Sequence, residues 1–151
     1  MSDQTTPSTQ SSNSADAEWA FLGLRLFLAF RWFFAGLEKF GSPGNYSFEN
    51  YYSKMNAMAG GIADNSIMPG FATKLFALPM GYLMLILSVT ILLGIKMRIS
   101  LIASLLLYVG LSIGLMATNE QHGIAWLGIH VIMSVMALKM VNNAKWVVLK
   151  D

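Results

Sequence analysis

Arg31, Tyr108 and His130 stand in otherwise apolar stretches of the sequence, and they are the residues through which this chain could do chemistry. Ionisable groups inside a hydrocarbon layer are costly and usually have a purpose. An arginine in the middle of such a stretch lies too deep for easy snorkelling. It needs an acceptor from another helix, a water or a bound ligand. Glu38 shares its helical face, but a seven-residue offset is about 10 Å of rise, so a direct pair within the helix is strained. A phenol near mid-bilayer wants a partner, and an imidazole titrates near neutrality. Counting rises from the outer ends puts Arg31 and His130 roughly 10–14 Å deep, with Tyr108 at about the same level. A cluster of the three would hold the carbonyl and hydroxyl oxygens of a quinone, or take part in proton transfer. A satisfied structural network of the same groups is the alternative, and spacing leaves both open.

Four apolar segments must position these side chains: about 18–40, 71–95, 99–117 and 124–141. Each is near the ~20 residues that a helix needs to cross a ~30 Å hydrocarbon core. The chain is 55% hydrophobic and 12% charged, where a soluble domain carries about twice that charged fraction. The expected fold is therefore an all-α, integral membrane four-helix bundle. Pro79 falls inside the second segment and should kink it or mark where it begins in earnest. Residues 1–16 are rich in Ser, Thr, Gln and Asn and are expected to be disordered. The membrane domain is expected over 17–141, with 142–151 as a cytoplasmic tail. The connection 41–70 predicts a short amphipathic helix, with Ser47 as N-cap, Phe48, Tyr51, Tyr52, Met55 and Met58 at helical spacing, and Gly60-Gly61 ending it. Such a helix would lie on the outer membrane surface as an aromatic anchor, or lid the bundle.

Lys96 and Arg98 lie between the second and third segments, and Lys139, Lys145 and Lys150 follow or close the fourth. The 118–123 link has no Lys or Arg. The positive-inside rule then places the 96–98 turn and both termini in the cytoplasm of a multi-pass protein of the cell (inner) membrane. On the other side, Lys39, Lys54 and Lys74 would suit an anionic substrate.

Composition excludes other chemistry. The chain has no cysteine, so a disulfide relay, an iron–sulfur cluster, a thiolate metal site and a c-type haem are ruled out. Its two histidines, His122 and His130, lie roughly 12 Å apart along one helix and cannot clamp one haem iron. No metal and no covalently bound cofactor are expected. A formal net charge of +2, without a basic run, argues against a nucleic-acid partner.

Around the first helix, Arg25, Ala29, Trp32, Gly36 and Lys39 share a narrow arc, and Arg31, Ala35 and Glu38 form a second stripe. Arg25 sits near the cytoplasmic end, where snorkelling is an ordinary fate. The third segment carries Ser100, Ser104, Tyr108 and Ser112 at four-residue intervals, with Gly110 and Gly114 as a GxxxG. Close packing, with hydroxyls bonded to their own backbone, is its plain reading. On the fourth, Trp126, His130 and Ser134 share a face.

The run LRLFLAFRWFFAGLEKF (Leu24 to Phe40) resembles the first helix of the DoxX/DoxD membrane proteins, which typically begins with Leu-Arg and ends in Gly-x-x-Lys. Arg25, Gly36 and Lys39 are the matching positions. The aromatic outer loop and an apolar helix ending Gly94-x-x-x-Arg98 continue the pattern over roughly residues 20–140. The DoxD branch is similar to the small membrane subunit of thiosulfate:quinone oxidoreductase, which passes electrons from thiosulfate to quinone and yields tetrathionate. The resemblance implies a four-helix bundle, a quinone-linked redox setting with a membrane quinone, and a second redox subunit or a homo-oligomer. Members of the broader family commonly carry a glutamate early in the second helix, where this chain has Met84. The competing expectation is a non-catalytic scaffold or anchor subunit of a larger complex.

Overall fold

A computed structural model describes residues 8–149, and the side chains from Ser14 onward. In chain order the elements are α1 (Ser8–Phe40), β1 (Gly41–Ser42), β2 (Asn45–Tyr46), α2 (Phe48–Asp64), α3 (Gly70–Ala77), α4 (Met80–Leu93), α5 (Met97–Ala117) and α6 (Gln121–Lys139), followed by a 3-10 turn, Val141–Asn143. Four helical stretches are long and apolar enough to cross a membrane: Ser14–Phe40, Gly70–Leu93, Met97–Ala117 and Gln121–Lys139. Large apolar side chains such as Phe27, Phe34, Leu106 and Ile132 point outward on these stretches. Water would penalise such a surface, and lipid does not.

The tail expected to be disordered over 1–16 lies partly outside the described residues. Over 8–16 the chain is helical, as the upstream continuation of α1. No Pro or Gly interrupts that stretch, and extending an existing helix avoids the cost of nucleating one.

α1 packs along α4, and α5 along α6. Gly36 lets the first pair approach: a Cβ there would lie 2.9 Å from Leu85 Cδ2 and 3.3 Å from the Gly81 carbonyl. On α5 the GxxxG is filled from within the chain. The Phe76 ring edge would stand 3.3 Å from a Cβ at Gly110, and Ile62 Cδ1 3.6 Å from one at Gly114.

The second span is broken at Leu78–Pro79, between α3 and α4. Proline supplies no N–H, so a break within lipid needs another donor. Tyr51 of α2 provides it: its Oη donates to the Leu78 carbonyl and accepts from the Gly81 N–H at 3.2 Å. The ring is fully buried and stacks on Phe40, with centroids 4.5 Å apart. Burial pushes the Tyr51 phenol up, against the opposing pull of the Gly81 amide, which keeps it a neutral donor. Tyr51→Phe is expected to cost about 1–2 kcal/mol, because the Leu78 carbonyl loses its donor in a buried position. Thermal unfolding in detergent reads this, and an unchanged melting temperature would show that the break needs no splice.

α2 begins as expected at Ser47, whose Oγ accepts the Asn50 N–H at 3.0 Å. It does not stop at Gly60-Gly61 but runs on to Asp64. The buried row Tyr51, Met55, Ala59 and Ile62 continues past the glycines and pins the next turn. Asn65 then closes the helix by donating from Nδ2 to the Gly61 carbonyl at 2.9 Å. Before α2, the chain reverses in a two-residue antiparallel hairpin, Gly41 opposite Tyr46.

The other end of the bundle is tied by the segment that follows α6. Residues 145–149 run back along the α4–α5 turn. Val148 N donates to the Leu93 carbonyl at 3.1 Å, and Lys96 N to the Leu149 carbonyl at 2.8 Å. Lys145 pairs with Glu18 at 2.7 Å, and Trp146 lies against Trp19 with ring centroids 5.7 Å apart. Within the expected tail, Trp146, Val147, Val148 and Leu149 form an apolar strap that bonds to the carbonyls and N–H groups of the α4–α5 turn.

Arg25 sits under this strap instead of snorkelling. It is only 4% exposed. Nε donates to the Ile91 carbonyl (2.9 Å), Nη2 to Leu92 (2.6 Å), and Nη1 to Trp146 (3.0 Å) and Lys145 (3.3 Å). The first two acceptors end α4, where carbonyls lack intrahelical partners and the helix dipole is negative. Gly94 turns the chain there in the left-handed region, at φ +71°.

Candidate functional site

A cavity of 320 Å³ opens in the half of the bundle nearest α2. Its α1 wall joins parts of both sequence stripes: Arg31, Ala35 and Glu38 from one, Trp32 and Lys39 from the other. Tyr108, Leu111, Leu115 and Thr118 of α5 form the opposite wall, and Leu127 of α6 and Met84 of α4 close the sides. Met58, Gly61 and Ile62 of α2 cover it. The cavity falls at the lower end of the size range of small-ligand pockets and has their usual make-up, an apolar lining with few polar groups.

Its centre is an aromatic pair. Trp32 and Tyr108 stack with centroids 4.1 Å apart at an interplanar angle of 26°. Both rings are buried, and Trp32 Nε1 is fixed by donating to Ser104 Oγ at 2.7 Å. Tyr108 Oη is buried and has no hydrogen-bond partner among the described residues. Arg31, by contrast, is exposed and opens on the cavity, and among the described residues no acceptor holds its guanidinium.

His130 stands behind Tyr108, its ring centroid 5.2 Å from the phenol's, and does not line the cavity. Its other face lies on Phe27, at 6.1 Å. Nδ1 is 2.6 Å from the Trp126 carbonyl. A carbonyl only accepts, so Nδ1 carries the proton and Nε2 of the neutral ring is left as an acceptor. Nε2 is buried and unpartnered, as is Ser134 Oγ one turn further on. Trp126 itself turns outward, 64% exposed, so of the three residues that share a face in a helical projection only His130 and Ser134 are buried.

The structure thus brings Arg31 and Tyr108 to one cavity and sets His130 as a second layer. Among the positions matched to the family, Lys39 lines the cavity and Gly36 sets the α1–α4 approach. Arg25 and Gly94, far apart in sequence, meet under the strap: a Cβ on Gly94 would lie 2.9 Å from Arg25 Nη2. Arg98 reaches Asn142 Oδ1 at 3.5 Å. Of the lysines expected to face an anion, Lys54 donates to the Glu38 carbonyl at 3.0 Å, while Lys74 is exposed and lines no part of the cavity. Ser112 bonds to its own helix, at the Tyr108 carbonyl (2.8 Å), whereas Ser104 serves Trp32.

Sequence reasoning missed Trp32 as a cavity residue. The signal was its place on the Arg25–Lys39 stripe of α1, one position from Arg31. It also missed the cover provided by Met58, Gly61 and Ile62, which depends on how α2 folds back over the bundle.

Fold and site together define a multi-pass helical membrane protein with a polar-rimmed cavity in one half of its bundle. Compared with models of known families, with curated proteins and with solved structures, the chain shows no match.

Proposed function

We propose that this chain is a DoxX/DoxD-like subunit of a quinone-linked membrane oxidoreductase, with the quinone headgroup held in the α1–α5 cavity. The observation that carries the reading is the convergence of two donors without acceptors, Arg31 and Tyr108 Oη, beside the stacked Trp32–Tyr108 pair. A flat ring with carbonyl oxygens matches that lining: the aromatic pair offers it a face, and the donors take its oxygens. A quinone, when bound, supplies the redox chemistry, and the chain's own residues bind, orient and exclude water. On this reading His130, its ring 5.2 Å behind Tyr108 and its Nε2 unpartnered among the described residues, is the proton acceptor on the phenol's side of the site. Glu38 at the rim is the carboxylate nearest the cavity, where Met84 stands on the wall that carries a glutamate in the wider family.

On this reading α2 is an amphipathic cover at the outer face of the inner membrane, and both termini are cytoplasmic, as the positive-inside rule directs. With no cysteine and no haem-ligand pair, electrons reach the quinone from a second subunit. An exposed aromatic row on α1, Phe27, Phe30 and Phe34, favours a helix contact in a larger complex. It supports a scaffold role as the second reading.

The test is to purify the protein in mild detergent, extract its lipids, identify any quinone and record what copurifies. Added short-chain quinone is expected to bind, and Tyr108→Phe to weaken it about five- to tenfold through loss of one hydrogen bond. No quinone, together with a stoichiometric partner whose contact covers Arg31, would sink the enzyme reading.

A further inference from the structure

Arg31 presents a chemical problem that a neutral ligand does not solve. Its guanidinium stays charged at any relevant pH and carries five donors. It opens on a cavity in a membrane-spanning helix, and no described carboxylate or carbonyl accepts from it. The nearest carboxylate along its stripe, Glu38, is about two turns away. Lys39 adds a second cation to the same lining. Tyr108 lines the same cavity, and its Oη is buried and without a partner among the described residues. Two donors, one of them a permanent cation, border a space whose remaining lining is aromatic and aliphatic apart from Glu38, Lys39 and Thr118, so its cations outnumber its one carboxylate.

We infer that the cavity selects amphiphiles whose head oxygen is ionised, with Arg31 as the counter-ion and Tyr108 Oη as the second donor to that oxygen. The inference rests on the cavity being the ligand site and deepens that reading by fixing the charge of the ligand. A charge-assisted bond is about twice as strong as a neutral one, and low local dielectric strengthens it further. An ionised ring hydroxyl and a fatty-acid carboxylate share this chemistry, and they come from different ligands.

The experiment separates them. The full chain in nanodiscs of zwitterionic lipid is dialysed against a 2-hydroxy-3-alkyl-1,4-naphthoquinone, ionised at neutral pH, and against its 2-methyl ether, with empty nanodiscs as blank. A saturated twelve-carbon fatty acid and its methyl ester form the second pair. The ionised member of at least one pair is expected to bind about tenfold or more tighter than its ether or ester. Arg31→Leu is expected to erase that preference, weakening the ionised member about tenfold more than the neutral one, and Arg31→Lys to keep part of it. Because Arg31 bonds to no described residue, Arg31→Leu should melt with the parent protein, which shows that a lost preference is not lost folding. Equal binding of ionised and neutral members, or a preference that survives Arg31→Leu, overturns the inference and leaves the quinone reading standing. Preference in the fatty-acid pair alone, with no naphthoquinone bound, upholds the inference and sinks the quinone reading. Binding of none of the four overturns both.

Discussion

Arg25→Leu is expected to destabilise the protein by on the order of 4 kcal/mol, the largest effect of any single substitution considered. The leucine removes the Arg25 donors from four carbonyls: Leu92 at the end of α4, Lys145 and Trp146 in the strap, and Ile91, which keeps the Gly94 N–H at 3.2 Å. Each lost bond to a charged group is worth about 1.5–3 kcal/mol, and the total is less than their sum because water can reach the strap side once it loosens. Lysine recovers only part of the loss. Its ammonium is a compact point, whereas the planar guanidinium reaches acceptors on two separate segments at once. Lys145→Gln is the control. The Lys145 ammonium is well exposed, so its pair with Glu18 contributes about 1 kcal/mol or less. Unfolding of the purified protein in mixed micelles of rising SDS fraction measures the difference. A midpoint for Arg25→Leu equal to that of Lys145→Gln would show that the buried guanidinium is not what holds the strap.

Gly94→Ala comes next, at about 3 kcal/mol. Two costs combine. The residue sits at φ +71°, where an L side chain costs about 1–2 kcal/mol. Its new Cβ would also lie 2.9 Å from Arg25 Nη2 and 2.9 Å from Val147 Cα, and the latter is backbone that moves only if the strap lifts. Gly94→Asn separates the two terms. Asparagine tolerates the left-handed region better than alanine but is bulkier. If backbone conformation dominated, asparagine would be the milder change; crowding under the strap predicts that it is the harsher. Combining Gly94→Ala with Arg25→Leu should cost less than the two separate losses together, since both release the same segment. Additive losses in that double-mutant cycle would mean that Gly94 and the strap are independent.

These substitutions mark where local pattern stops being informative. Gly94 after an apolar run reads as a helix end, and it is one. Nothing local says that its missing side chain makes room for an arginine sixty-nine positions earlier. Arg25, near the expected cytoplasmic end of its span, has the appearance of an ordinary snorkelling residue. It is buried because the strap folds over it, and the strap's apolar residues lie too few in a row to announce a docking segment. Gly60-Gly61 has the composition of a helix stop, yet Ile62 finds a buried place beyond it and the helix continues, a case of packing overriding propensity.

The candidate site divides along the same line. Arg31 and Tyr108 were conspicuous as polar groups in apolar runs, and the matching of their depths follows from helical rise alone. Whether they share a cavity depends on which faces of α1 and α5 meet, and α2 must then lie across them.

What the sequence by itself determined is the membrane-spanning character of four segments, the interruption at Pro79 and the identity of the polar groups that a bilayer makes expensive. Those properties follow from side-chain solubility, span length and a missing N–H, all of which are local. Only the tertiary structure decided that Tyr51 bridges the broken span, that residues 145–149 strap the α4–α5 turn over Arg25, and that Trp32 and Tyr108 stack within a cavity while His130 stands behind them. Each of these depends on contacts between residues distant in the chain, set by the balance of close packing and satisfied backbone groups, and no window of sequence contains both partners.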